Sequence, residues 1–257
     1  MTPKLLKHRD AIVPCGRCPE CKGRRVSSWS FRLMQEAKIA ESAHFITLTY
    51  DTKNTSVASG RLTLVKSDVQ KFVKRLRKAH GLVHRTIKYY AVGEYGSRTY
   101  RPHYHIILFN ARVELVQTAW DLGQVHYGTV EGASIGYCLK YITKPKRVPQ
   151  YKGDTRIPEF ALMSKGLGLN YLTDQMVQYH GEDLLNRMYC TIEDGKKISM
   201  PRYYKDKLYF PEERKAIAQA YQDKYRDLYV EDPLKRDQQI KAAFQKMERD
   251  SIKNNKI

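Results

Sequence analysis

Nine residues, Arg101-Pro102-His103-Tyr104-His105-Ile106-Ile107-Leu108-Phe109, limit most strongly what this chain can fold into. Two histidines separated by one residue run into an apolar, β-prone tail. In a strand, successive side chains point to opposite faces, so His103 and His105 share a face and Tyr104 takes the other. On so stiff a support the pair is a ready-made chelate of imidazoles, the commonest metal ligand. His-x-His also occurs as an incidental or structural pair, and the rest of the sequence decides between the two.

Around this strand the pattern alternates between strands and helices. His44 to Tyr50 alternates apolar and hydroxyl residues and predicts a strand. Lys66 to His80 predicts a helix with Val69, Phe72, Val73 and Leu76 as its buried stripe, Ser67 and Gln70 as a capping box, and Gly81 just past its end. Its outer face carries Lys71, Lys74, Arg75, Arg77 and Lys78. A strand over Ile87–Glu94 and a short loop precede the histidine strand, read as 103–110. A short helix at 115–120, a strand at 124–130 and a helix at 134–144, stopped by Pro145, follow. The fold class is therefore α+β, an antiparallel sheet with helices expected on one face and a C-terminal helical extension. Three segments are expected: a cysteine segment and helix (1–43, the helix over 24–42), the core (44–145), and an irregular connection with C-terminal helices (146–257). Those helices open at Pro211 and, after a capping Asp232, at Pro233, the last with Leu234, Ile240, Phe244 and Met247 along one stripe.

The charge narrows the partner. Over 257 residues, 46 Lys and Arg against 27 Asp and Glu leave a formal net charge of +19. A surplus that large predicts a polyanion, nucleic acid or an anionic membrane. No apolar run approaches bilayer length, and the stretch from Met1 to Lys4 opens no signal-peptide core, so membrane attachment is the poorer explanation. Nineteen tyrosines against seven phenylalanines, interleaved with basic residues, suit stacking on unpaired bases. Five cysteines make no disulfide framework and fit a reducing cytoplasm. Three of them, Cys15, Cys18 and Cys21, have the spacing of thiolates around a structural Zn²⁺. Position 25 is Arg25, where a ferredoxin run would have its next cysteine. His8, Cys138 and Cys190 are candidates for a fourth ligand, and unligated thiols in a loop are the alternative.

The strands before and after the loop at 95–101 should pair antiparallel, and residues opposite each other face the same way. Setting Glu94 against His103 or His105 adds a carboxylate to the two imidazoles. Such a mixed set suits Mg²⁺ or Mn²⁺ acting on a substrate oxygen. Downstream, Tyr137, Lys140, Tyr141 and Lys144 fall at i, i+3, i+4 and i+7 and share one helix face, opposite Ile135, Cys138, Leu139 and Ile142. Two phenols beside two ammonium groups are not built as a core. A phenol of ordinary pKa ~10 needs help to attack phosphorus, and a neighbouring lysine with a metal-polarised phosphate supplies it.

His103-Tyr104-His105 followed by Tyr137-x-x-Lys140-Tyr141 resembles the HUH endonucleases, the rolling-circle replication initiators and relaxases. The strand Phe45–Tyr50 is similar to the family's first motif. The paired tyrosines resemble the initiators of microviruses, and the cysteine run, Gly93-Glu94-Tyr95-Gly96 and Arg101–His105 resemble the gokushovirus branch. The resemblance covers about residues 15 to 144. It implies a divalent ion on His103, His105 and Glu94, and a single-stranded DNA origin as substrate. It implies Tyr137 as the first nucleophile, leaving a 5′-phosphotyrosine and a 3′-hydroxyl for a host polymerase. Tyr141 would attack after one round, and Lys140 would stabilise phosphate charge. The C-terminal helices are left to contacts with DNA, with a host helicase or with the domain itself. Two other readings stand beside this one: a relaxase or transposase of the same superfamily, and a non-catalytic module that stacks single-stranded nucleic acid.

Overall fold

Strand-forming residues on both sides of the histidine stretch surround it with hydrogen-bonding partners, and the rest of the fold is laid out from there. The computed structural model describes residues 5–8, 11–144, 148–192, 195–225, 238–239, 241–246 and 249. In chain order, a hairpin of β1 (Leu5–His8) and β2 (Ala11–Pro14) leads into α1 (Pro19–Ile39). β3 (Ala43–Thr49), the small hairpin of β4 (Ser56–Ala58) and β5 (Arg61–Thr63), and α2 (Lys66–His80) follow. Next come β6 (Lys88–Tyr95), β7 (Pro102–Phe109), α3 (Val116–Ala119), β8 (Val125–Thr129) and α4 (Gly132–Thr143). The last described elements are β9 (Phe160–Met163), α5 (Asp174–Glu182), β10 (Tyr189–Thr191), β11 (Lys197–Ser199), α6 (Arg202–Leu208) and α7 (Pro211–Tyr225). The chain divides into two compact units, Leu33–Leu167 and Met1–Arg32 with Gly168–Ile257.

The first unit is an α+β domain built on a five-stranded antiparallel sheet in the order β8-β3-β7-β6-β9. β7 is central, with Thr47 opposite His105 on one side and Val92 opposite it on the other. Period-2 alternation then sorts the side chains. Ile46, Leu48, Ala91, Tyr95, Tyr104, Ile106 and Leu108 go to one face, where the stripe of α2 and Trp120 cover them in one core. Glu94, His103 and His105 go to the other. The sequence predicts helices on one face; α4 lies on the second, burying Ile135, Cys138, Leu139 and Ile142. At the end of α1, the buried Glu36 pairs with Lys88 of β6 at 2.7 Å.

Several local expectations shift for identifiable reasons. The helix expected over 24–42 begins at Pro19, a favoured first-turn residue, so Cys21 lies inside it. Ser67 does not cap α2. Val65 is the N-cap, without a side-chain cap, and a tertiary contact substitutes for one. The Tyr104 hydroxyl accepts from the Val65 N–H at 2.9 Å and lies 3.0 Å from the Val65 carbonyl. It also meets the Tyr50 hydroxyl at 2.8 Å, and Tyr50 donates to Asp68 at 2.7 Å. α4 has a capping box of reversed composition, with Glu131 at the N-cap and Ser134 three residues on. β9, four residues without an alternating signature, joins the sheet along β6 and carries the first unit past the expected boundary at 145. On the outer face of α2, Arg75 pairs with Asp121 at 2.6 Å and Arg77 donates to the Ile87 carbonyl, which leaves Lys71, Lys74 and Lys78 as its solvent-exposed lysines.

The second unit has its own core of Phe31, Cys190, Met200, Tyr204, Tyr209 and Ile217. α7 opens at Pro211 as predicted. The start of the helix expected from Asp232 and Pro233 lies outside the described residues, as do Leu234, Ile240 and Met247. No helix among the described residues is long and apolar enough to cross a membrane.

Because the Tyr104 hydroxyl satisfies buried backbone at the entry of α2, Tyr104→Phe is expected to cost about 1–3 kcal/mol, the penalty of a buried donor left unpaired. Urea unfolding should show a lower midpoint at unchanged slope. An unchanged midpoint would remove Tyr104 as the cap of α2.

Candidate active site

Pairing register assembles the first part of the site. Glu94 stands directly opposite His103, and His105 lies two residues further along the same face. One ligand atom from each of Glu94, His103 and His105 comes within 4.8 Å of the others. Glu94 and His105 are each 7% exposed, so the group is a pocket floor rather than a surface cluster.

Hydrogen bonds fix the rings. The His103 Nδ1 lies 3.2 Å from the Arg101 carbonyl, which can only accept, so Nδ1 carries the proton and Nε2 keeps a lone pair. The His105 Nδ1 lies 2.9 Å from the Thr47 hydroxyl. The His105 Nε2 is buried and has no hydrogen-bond partner. A buried nitrogen without a partner, two imidazoles and a carboxylate at this spacing fit a divalent cation. Burial, helped by His103 and Lys144, holds the imidazolium of His105 down to about 3. The ring is therefore neutral around pH 7, and a cation has no proton to displace from it. The stability linked to this ring falls as pH drops from its ordinary 6.5 towards 3, where the unfolded chain takes up a proton that the folded chain refuses.

α4 brings the second part. The ring of Tyr137 packs edge-on against His105 with centroids 4.8 Å apart, and it is 38% exposed. Lys140 and Lys144 place their ammonium groups 5.4 and 5.7 Å from the centre of that ring. Tyr141 points elsewhere along the same face, and its hydroxyl accepts from the buried Tyr90 hydroxyl at 3.2 Å. The structure thus joins Tyr137, Lys140 and Lys144 to the histidine cluster directly, and Tyr141 through Tyr90 of β6.

Four participants escape sequence reasoning. Phe45 stacks on His105 at 5.7 Å and meets the Tyr137 ring at 6.2 Å. Thr47 holds the back of His105, and Tyr90 holds Tyr141. The Lys144 ammonium lies 3.6 Å from the Glu94 carboxylate. The alternation of Phe45, Thr47 and Thr49 puts them on one face, which is the signal that could have found two of these. The other two depend on where α4 crosses β6.

Cys15, Cys18 and Cys21 form a second group, with their sulfurs also within 4.8 Å of one another. Cys138 is buried in α4, where burial and the Glu94 charge raise its thiol. Cys190 bonds to Tyr171 inside the second unit's core. Neither joins the group, and the side chain of His8 lies outside the described residues.

Known proteins match over the same ground. The model of the replication-associated protein ORF2 family matches residues 43–146, the stretch that holds β3, β6, β7 and α4. Replication-associated protein ORF2 of Spiroplasma virus 4 is 32% identical over 213 residues, covering 75% of this chain and 66% of the relative. Replication-associated protein VP4 of Bdellovibrio phage phiMH2K is 26% identical, with 75% and 66% covered. Replication-associated protein ORF4 of Chlamydia phage 1 is 26% identical, with 76% and 53% covered. The chain thus spans a little under two thirds of the first two relatives and about half of the third. No solved structure matches it. The chain belongs to the replication-associated protein ORF2 family, in the company of the replication proteins of microviruses.

Proposed function

We propose that this protein is a metal-dependent endonuclease and strand transferase that nicks single-stranded origin DNA and rejoins it during rolling-circle replication in the host cytoplasm. The observation that carries the reading is the contact of Tyr137 with His105, which puts a phenol beside the Glu94, His103 and His105 group. Family membership supports a role in replication, and the surplus of 46 basic over 27 acidic residues supports a polyanionic substrate.

Glu94, His103 and His105 would hold the ion, Mg²⁺ or Mn²⁺ by the chemistry of the donor set. When bound, it would draw charge from a non-bridging oxygen of the scissile phosphate. Tyr137 is the nucleophile: its phenolic oxygen bonds to phosphorus as the bond to the 3′ oxygen breaks. The phenol gives up a proton and the departing 3′ oxygen takes one up, so the products are a 5′-phosphotyrosine and a free 3′-hydroxyl. Lys140 balances charge on the phosphate, and Lys144 on the same helix face orients Glu94. Tyr141 acts in the second transfer, which frees Tyr137 and closes the strand. The extended 3′ end is the natural point of contact with a host polymerase.

The test is a covalent adduct. Full-length protein, Mn²⁺ and single-stranded DNA carrying the cognate origin should give a protein–DNA species that survives a denaturing gel and vanishes with EDTA. Tyr137→Phe should reduce it by at least about tenfold, and the Tyr137→Phe/Tyr141→Phe double variant should abolish it. An adduct in the double variant would mean that other nucleophiles act.

Metal binding is tested apart from chemistry. Calorimetry should find one Mn²⁺ on this group, with affinity lowered at least about tenfold in Glu94→Gln and His105→Ala. Thr47→Val should lower it by roughly 10-fold or more, because the hydroxyl behind a ligating imidazole sets its tautomer and orientation. Unchanged affinity in all three would place the ion elsewhere.

A further inference from the structure

The nuclease reading leaves three cysteines unused. We propose that Cys15, Cys18 and Cys21 are three ligands of a single zinc ion that fixes the start of α1, a site separate from the Glu94, His103 and His105 group.

The local chain is shaped for it. Gly16 has φ of +71°, a left-handed conformation that a side chain would strain, and no neighbour lies within 4 Å of a Cβ built there. This turn folds Cys15 back over the residues that follow it. The N–H groups of Arg17 and Cys18 then both donate to the Cys15 sulfur, at 3.4 and 3.2 Å. Cys18 precedes the first residue of α1, and Cys21 lies in its first turn. Cys18 and Cys21 are buried, 1% and 8% exposed, although the segment is rich in polar residues.

Spacing favours one ion over a cluster. Four-coordinate zinc with bonds of about 2.3 Å sets its sulfurs roughly 3.8 Å apart. All three sulfurs here lie within 4.8 Å of one another. An iron–sulfur cluster places each thiolate on a different iron and spreads them wider. Softness agrees, since three thiolates select zinc over the magnesium or manganese suited to the oxygen and imidazole set of the other site.

The fourth position does not come from His8. The β1–β2 register sets His8 opposite Ala11 at the turn end of the hairpin, and Leu5 opposite Pro14 at the end that adjoins Cys15. The backbone at His8 is thus about 13 Å along the strand from Cys15. Cys138 and Cys190 are engaged in their own cores. The described residues contribute three thiolates, with solvent or an undescribed residue at the fourth place.

The experiment uses the full chain. In a His103→Ala/His105→Ala variant, purified without chelator, elemental analysis should find one zinc per chain. Adding Cys15→Ser and Cys18→Ser should reduce that to near zero. Should those serine variants fail to fold, the wild-type chain decides. Cobalt exchanged into it should show thiolate-to-cobalt charge transfer with the strong visible bands of tetrahedral sites, and a mercurial titration of three thiols should release the metal. X-ray absorption should count three sulfurs. No bound zinc together with no thiolate band for cobalt would overturn the proposal, as would full zinc content in a folded serine variant.

Discussion

The rung of sheet that sets Glu94 opposite His103 is the constraint on which the site depends. A one-residue slip between β6 and β7 would turn the carboxylate to the other face and leave two imidazoles without it. Both strands are held against such a slip. β7 has partners on both sides, and its second face is fixed by Tyr104, Ile106 and Leu108 inside a closed core. The Tyr104 hydroxyl is tied to Val65, and burial pushes its pKa up to about 12, so the tie stays neutral. One residue between two histidines thus locks the register from the face that carries no chemistry.

The same alternation separates two dielectric environments within one strand. On the core face the Tyr104 hydroxyl finds partners in Val65 and Tyr50. On the site face, His105 keeps a buried, unpaired Nε2. An unpaired buried nitrogen costs free energy, and a fold retains one where something else supplies the missing bond. Lys144 near Glu94 adds a fixed positive charge over that floor, which further lowers the tendency of the His105 ring to take a proton.

Much of this was legible in the residues. Histidine spacing, the β-prone tail and the Tyr/Lys helix face follow from periods of 2 and 3.6, and the structure puts the expected groups on the expected sides of β7 and α4. Periodicity could not say on which face of the sheet α4 would pack, because its buried stripe suits either. It also missed β9, since Phe160–Met163 is too short to alternate and gains its place only by pairing with β6. Ser67 was misread as a cap because a capping box is a local signal, and at α2 a tyrosine distant in sequence satisfies the backbone instead. Lys144 beside Glu94 and Tyr90 beside Tyr141 were out of reach, as both require the crossing of helix and sheet.

That crossing also distinguishes two phenols that the sequence presents as equals. Tyr137 and Tyr141 are one turn apart on α4 and share its outward face. Tyr137 leans on His105 with two ammonium groups near its ring, and more than a third of its surface is open. Tyr141 is bonded to a phenol that is itself fully buried. A nucleophile that must approach a large polyanion is served by exposure and nearby positive charge, and both favour Tyr137. The Tyr141 hydroxyl, by contrast, must exchange its bond to Tyr90 for the phosphate. In the proposed two-step transfer, this asymmetry orders the tyrosines before any DNA is bound, with Tyr137 acting first and Tyr141 released to act when the first is occupied.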